Sequence, residues 1–264
     1  MKNLNAYPTS ENNKEQIGLE KINHVLERSS ELLNKMGIPV DQECRIQIEK
    51  FENFPREKIF KDKIREDRFK ERFKYDQREN QLGEQFEKLK TALLQKFFKN
   101  DFIVCRTSFF DDVLNGVDNI IVDAHSGQII CAIDEVGDVH SKRYEEKRQK
   151  VNDVNRMGGV SIDYGFKMDL ENKKIILSSL SNIPLFFLGL NELYIKKAIK
   201  DFNENEISDF EKNTIIYFIQ SLKEQTELLL KICPENSLVT PKLRDFQGLI
   251  VSITKRYNLT PIKK

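Results

Sequence analysis

Between residues 106 and 138 the chain reads RTSFFDDVLNGVDNIIVDAHSGQIICAIDEVGD, its densest run of acids set among apolar residues. Two apolar stretches lie inside it, residues 117–124 and 128–136, and Ser126-Gly127 between them is a hairpin signal. Asp118 opens the first stretch and Asp134-Glu135 closes the second, so an antiparallel hairpin carries all three acids to one end. Neighbouring strands lie about 4.8 Å apart, and carboxylates meeting on one face at that spacing lie within reach of one hard cation with oxygen ligands. Without a cation such a cluster repels itself.

Register decides which acids meet, because side chains alternate faces along a strand. A two-residue turn at Ser126-Gly127 pairs His125 with Gln128 and sets Asp118 opposite Glu135; a longer turn sets Asp118 opposite Asp134. Asp123 falls near the turn on the other face and reads as a solvated hairpin residue. Asp111-Asp112 has two readings, a further ligand or a turn residue ahead of Asn115-Gly116.

The rest of the composition narrows the chemistry. His24, His125 and His140 share no i, i+3 or i+4 spacing, and Cys44, Cys105, Cys131 and Cys233 form no CxxC pair, so any metal must be held by carboxylates. Dispersed cysteines in apolar runs suit a reducing compartment. The first residues, MKNLNAYPTSENNKEQ, carry no apolar run after the lysine, and no stretch approaches the length of a membrane span. The expectation is a cytoplasmic protein with no membrane association. Lysine and arginine number 43 against 42 acids, which excludes a uniformly basic coat but not a local basic face for nucleic acid. Lys142, Arg143, Lys147, Arg148 and Lys150 make such a local cluster just after the acids, diluted by Glu145 and Glu146.

The elements that must position these residues follow from periodicity. Apolar residues from Ile17 to Met36 recur at three and four, and Gly37 with Pro39 ends that helix. Sparse apolar positions among alternating charges predict a second helix over residues 41–75, divided at Pro55. Leu82, Phe86, Leu89, Leu93, Leu94 and Phe97 form a stronger stripe. Strands are expected at 102–106, 117–124 and 128–136, then a charged helix over 139–156 ending at Gly158-Gly159. A second hairpin follows over 160–170 and 174–179, with residues 179–182 as a polar turn before a wholly apolar strand at 185–190. Helices close the chain at 193–202, 207–232 and 241–257. The expected organisation is a charged helical N-terminal arm (1–75), an α/β core (76–202) and a C-terminal helical layer (203–264). The arm's helices offer a surface for a protein partner.

The order of these features resembles the PD-(D/E)xK nuclease superfamily, which includes restriction endonucleases and Holliday-junction resolvases. The resemblance rests on a GxxxE helix (Gly83 to Glu87, within LGEQFEKL), a strand, an Asp-bearing strand, a strand ending in an acidic pair, a helix and a further apolar strand. It implies a small mixed β-sheet of αβββαβ order, flanked by the N-terminal and C-terminal helices. By resemblance Glu87 takes the helix position and orients a second metal or a water. Asp118 is then the metal-binding Asp, and Asp134 or Glu135 the second acid, all serving Mg²⁺, with Mn²⁺ as substitute. The lysine usual two residues after the last acid is replaced by Val136 or Gly137, in either register. Some branches supply it from the next helix, where Lys142 and Lys147 are the candidates. The implied activity is hydrolysis of phosphodiesters in DNA or RNA; the alternative is an inactive nuclease-like fold that binds nucleic acid or a protein partner.

Overall fold

The computed structural model describes residues 10–73, 77–98, 101–137, 142–169, 171–172 and 174–259. His140 and the expected boundary between residues 75 and 76 lie outside the described residues. In chain order the elements are α1 (Ser10–Lys35), a 3-10 turn (Ile48–Lys50), α2 (Arg56–Phe73), α3 (Gln77–Phe98), β1 (Phe102–Arg106), α4 (Phe109–Asn115), β2 (Asn119–Asp123) and β3 (Ile129–Val136). They continue as α5 (Lys142–Arg156), β4 (Val160–Asp169), β5 (Lys174–Ile183), β6 (Leu185–Gly189), α6 (Glu192–Lys200), α7 (Asp209–Ile232) and α8 (Val239–Arg256). No described helix is long and apolar enough to cross a membrane.

The class is mixed α/β. Strands β1, β2, β3 and β6 lie side by side in that order; the first two pairings are antiparallel and β3 pairs with β6 in parallel. β4 and β5 form a separate antiparallel pair. β6 is apolar and buried at every position, as a parallel strand covered on both faces requires. One continuous core draws Ile22 and Leu26 of α1, Phe86 and Leu93 of α3, Phe218 of α7 and Leu243 of α8 onto this sheet.

Three local structures differ from the sequence reading. Residues 41–54 are not helical beyond the single 3-10 turn. The Asp41 carboxylate accepts the backbone N–H groups of Glu43 and Arg45, each at 2.9 Å, offering the chain a turn in place of a helix. Val40 then bridges Ile46, and the loop lies along the outer edge of β1: Arg106 N–H donates to the Cys44 carbonyl at 2.9 Å and Ile46 N–H to the Arg106 carbonyl at 3.1 Å. Residues 109–115, expected as a link with a turn, form α4. Ser108 caps it by accepting from Asp111 N–H, and Gly116 ends it in the left-handed region at φ 64°. Residues 179–182, expected as a turn, continue β5 to Ile183.

The sheet's other edge is closed by a side chain. Gln225 of α7 accepts from Phe187 N–H at 3.0 Å and donates to the Phe187 carbonyl at 2.7 Å, standing in for one residue of a neighbouring strand. The crossover helix α5 is fixed to β6 in a similar way. Asn155 donates to the Leu185 carbonyl at 2.7 Å and accepts from Leu185 N–H at 3.0 Å, and the side chain is fully buried. Asn155→Ala leaves both Leu185 groups buried without partners and is expected to lower stability by about 2–4 kcal/mol, read from urea unfolding.

Candidate functional site

The register of β2 on β3 selects the acid pairing. Asn119 faces Ile133 and Ile120 faces Ala132, and a bulge between Ile121 and Val122 shifts the pairing nearer the turn. Of the two turns the sequence allows, the two-residue one that would pair His125 with Gln128 does not form. The Asp123 carboxylate accepts from His125 N–H at 2.8 Å and Ser126 N–H at 2.6 Å, and Asp123 N–H donates to the Gln128 carbonyl, so the turn is the longer one. The paired register ends at Asn119 opposite Ile133, so Asp118 stands just beyond it, beside the Asp134-Glu135 end of β3. Asp118 precedes β2 but is held by its backbone on both sides: its N–H donates to the Ile133 carbonyl at 2.9 Å, and its carbonyl accepts from Thr107 N–H at 2.8 Å.

Two lysines from opposite directions in sequence enter this cluster. Lys90, fully buried on α3, donates to Glu135 Oε2 at 2.5 Å and stands 3.9 Å from Asp118 Oδ2. Lys147 of α5 donates to Asp134 Oδ1 and to the Glu135 carbonyl. Asp118 is 7% exposed and Asp134 2%, and each keeps one carboxylate oxygen, Oδ2, buried without a hydrogen-bond partner. Burial and the charges of Glu135 and Asp134 push the Asp118 carboxyl well above its usual range. Burial also outweighs the Lys90 ammonium at Glu135, whose pKa rises to about 7. Lys90 itself loses to burial but gains more from Glu135 and Asp118, so it stays charged.

Glu87 sits three residues before Lys90 on α3 but is engaged elsewhere. Its two oxygens accept from Arg106 Nε at 2.7 Å and Nη2 at 2.8 Å, and both accept from Arg45 Nη2 at 3.0 Å. Burial alone would raise Glu87; the two guanidiniums reverse this and hold it at about 2. Arg45 continues to Asp112 at 3.0 Å and Arg106 to Glu43 at 2.8 Å, which makes Asp112 part of the Glu87 network. Asp111 is buried in a structural role: its carboxylate accepts from Asp163 N–H and Tyr164 N–H, tying α4 to β4. Lys142 is exposed and pairs with Glu146, away from the acids.

The structure thus brings together Asp118, Asp134, Glu135 and Lys147, sets Glu87 under an arginine clamp beside them, and leaves Lys142 outside. Lys90, Arg45 and Arg106 were not among the residues the sequence singled out. Lys90 did leave a trace, a lysine four residues after Phe86 and three before Leu93, inside the stripe that faces the core. Arg45 reaches the site only because its loop folds along β1.

Among the described residues no three His, Cys, Asp or Glu side chains converge into a closed metal cage. Asp118 Oδ2 and Asp134 Oδ2, buried without a hydrogen-bond partner, are donors of the type Mg²⁺ takes, an ion commonly bound by one or two carboxylates that otherwise keeps water or takes substrate phosphate oxygens. Compared with protein-family models, curated proteins and solved structures, the chain matches none.

Two outcomes follow from these charges. Glu87→Gln removes the counter-charge of two largely buried guanidiniums and is expected to cost about 3–5 kcal/mol in urea unfolding. Glu87, lowered from 4.5 to about 2, contributes stability that is present above its unfolded value and is lost as pH falls toward 2. Glu135, raised from 4.5 to about 7, contributes stability that is present below its unfolded value and is lost as pH rises through 7. Unfolding free energy measured against pH should therefore peak in mild acid, and Glu135→Gln should flatten the fall between about 5 and 7.

Proposed function

We propose that this chain is a Mg²⁺-dependent phosphodiesterase of nuclease-like architecture acting on DNA or RNA. The observation that carries the reading is the pair of buried carboxylate oxygens on Asp118 and Asp134 that lack a hydrogen-bond partner, with a lysine of the next helix against Asp134. The order α3, β1, β2, β3, α5, β6 supports it. That order takes α4 as an insertion after β1 and the β4/β5 pair as an insertion before the last strand. Lys147 then answers for the lysine absent from positions 136 and 137.

Asp118 and Asp134 would hold the ion, which when bound supplies a Lewis acid for a phosphoryl oxygen and acidifies a water. Lys147 contributes a fixed positive charge where negative charge develops on the phosphate. Glu135, with its pKa near 7, can hold or release a proton at neutral pH. Lys90 keeps Glu135 in place, and the arginine clamp keeps Glu87 ionised beside it.

A second reading has its own support in the lysines. Lys90 and Lys147 already neutralise much of the acid cluster, as suits an inactive fold that serves as an interaction module. Thermal unfolding across a Mn²⁺ titration separates the two. At about 100 times Kd, bound Mn²⁺ adds roughly 2.7 kcal/mol to the wild type, and Asp118→Asn should lose that gain together with hydrolysis of nucleic acid. Equal response of both proteins, or none in the wild type, favours the interaction module.

A further inference from the structure

Resting on the nucleic-acid reading above, we infer that the outer face of α2 is the track for the phosphates of one nucleic-acid strand, held by Lys61, Arg65 and Arg68. The argument begins with where the acids of α2 go. In sequence the helix alternates both signs, but Asp62 and Glu66 are buried and engaged within the protein. Asp62 accepts from Lys58 and from the Tyr164 hydroxyl, each at 2.8 Å, and Glu66 accepts from Phe110 N–H at 3.0 Å and from Lys63 at 3.2 Å. Lys61, Arg65 and Arg68 stay exposed. With 3.6 residues per turn these three fall within about 60° of arc, and at a rise of about 1.5 Å per residue they span about 10 Å.

Their own pairings are weak. Arg65 reaches Asp62 only at 3.4 Å, behind two shorter partners of that carboxylate. Lys61 meets Glu57 in an exposed i,i+4 pair, a kind that contributes little and that a phosphate can replace. The exposed acids Asp67 and Glu71 lie to one side. A narrow basic line with an acidic flank suits a single file of charges and repels a broad anionic surface such as a membrane. At about 3.4 Å per phosphate along one strand, about 10 Å of helix faces about three phosphates, one for each cation. Lys61 and Arg65 also line, with Lys58 and Phe110, a cleft of about 530 Å³ where α2 meets α4, so the track borders a concavity. α4, which holds α2 through Glu66, is capped by Gly116 two residues before Asp118 and so connects the track to the acid cluster.

The test is fluorescence anisotropy of a labelled single-stranded oligonucleotide on the full-length chain, over a salt series with EDTA present so that no metal-dependent step enters. Lys61→Gln/Arg65→Gln/Arg68→Gln is expected to bind about tenfold or more weakly at 0.1 M salt, with a log–log salt slope shallower by about 2, since each phosphate contact on a single strand contributes about 0.7. Glu57→Gln, which frees Lys61, should bind more tightly than the wild type. Affinity and slope unchanged in the triple variant, or lost instead in Arg148→Gln/Lys150→Gln on α5, overturn this inference and leave the metal-dependent reading standing. A wild type that binds no oligonucleotide at low salt overturns it as well. Loss of binding in the triple variant of a chain that shows no Mn²⁺ response supports the track while overturning the metal-dependent reading. Circular dichroism and the Mn²⁺ response of the triple variant should match the wild type, because all three side chains are on the surface.

Discussion

Three carboxylates cannot share the buried end of a sheet unless positive charge is brought to them, and much of this structure follows from that requirement. The β2/β3 pairing ends at Asn119 opposite Ile133, which leaves Asp118 beside Asp134 and Glu135 at one end of the sheet. Each then needs a cation from outside the sheet. Lys90 has to come from the helix before the strands and Lys147 from the helix after them, so α3 and α5 are tied to the strand ends by charge as well as by apolar packing. The buried network at Glu87 obeys the same rule with the signs exchanged, since the buried Arg106 on the edge strand β1 has to find a carboxylate and finds it on α3.

These two networks share a helix, which couples parts of the chain that are distant in sequence. Glu87 and Lys90 project from adjacent turns, one toward arginines of β1 and its covering loop, the other toward acids of β2 and β3. Thr91, the next residue, accepts from Asn119 at 2.9 Å and so keys the same helix to the start of β2. The position of α3 along its axis is therefore fixed by polar contacts at three successive core-facing sites. Apolar packing of Phe86, Leu89 and Leu93 alone would tolerate more sliding.

The strands β1, β2 and β3, the crossover helix and the wholly apolar β6 were legible because each is a run of one periodicity bounded by turn residues. The convergence of Asp118 with Asp134-Glu135 was legible for the same reason, as was Lys147 as a candidate. The register was not, since it turns on where the Asp123 carboxylate closes the turn and on a bulge that composition does not mark. The loop over residues 41–54 was misread as helix because its charge alternation is helical in style, whereas Asp41 and the β1 edge decide its shape. Lys90 was passed over because a lysine among leucines reads as a flaw in an apolar stripe until its partners are known.

The closure of both sheet edges has a consequence for the chain in solution. Val, Ile, Leu and Phe make up most of β1, β2 and β6, and apolar strands of this kind add to one another readily when an edge is bare. Here the loop over 40–46 occupies the β1 side, and Gln225 occupies Phe187 on the β6 side. Strand addition by another molecule must first displace one of these partners. The loop and one glutamine thus work against aggregation, a duty separate from anything the acid cluster does.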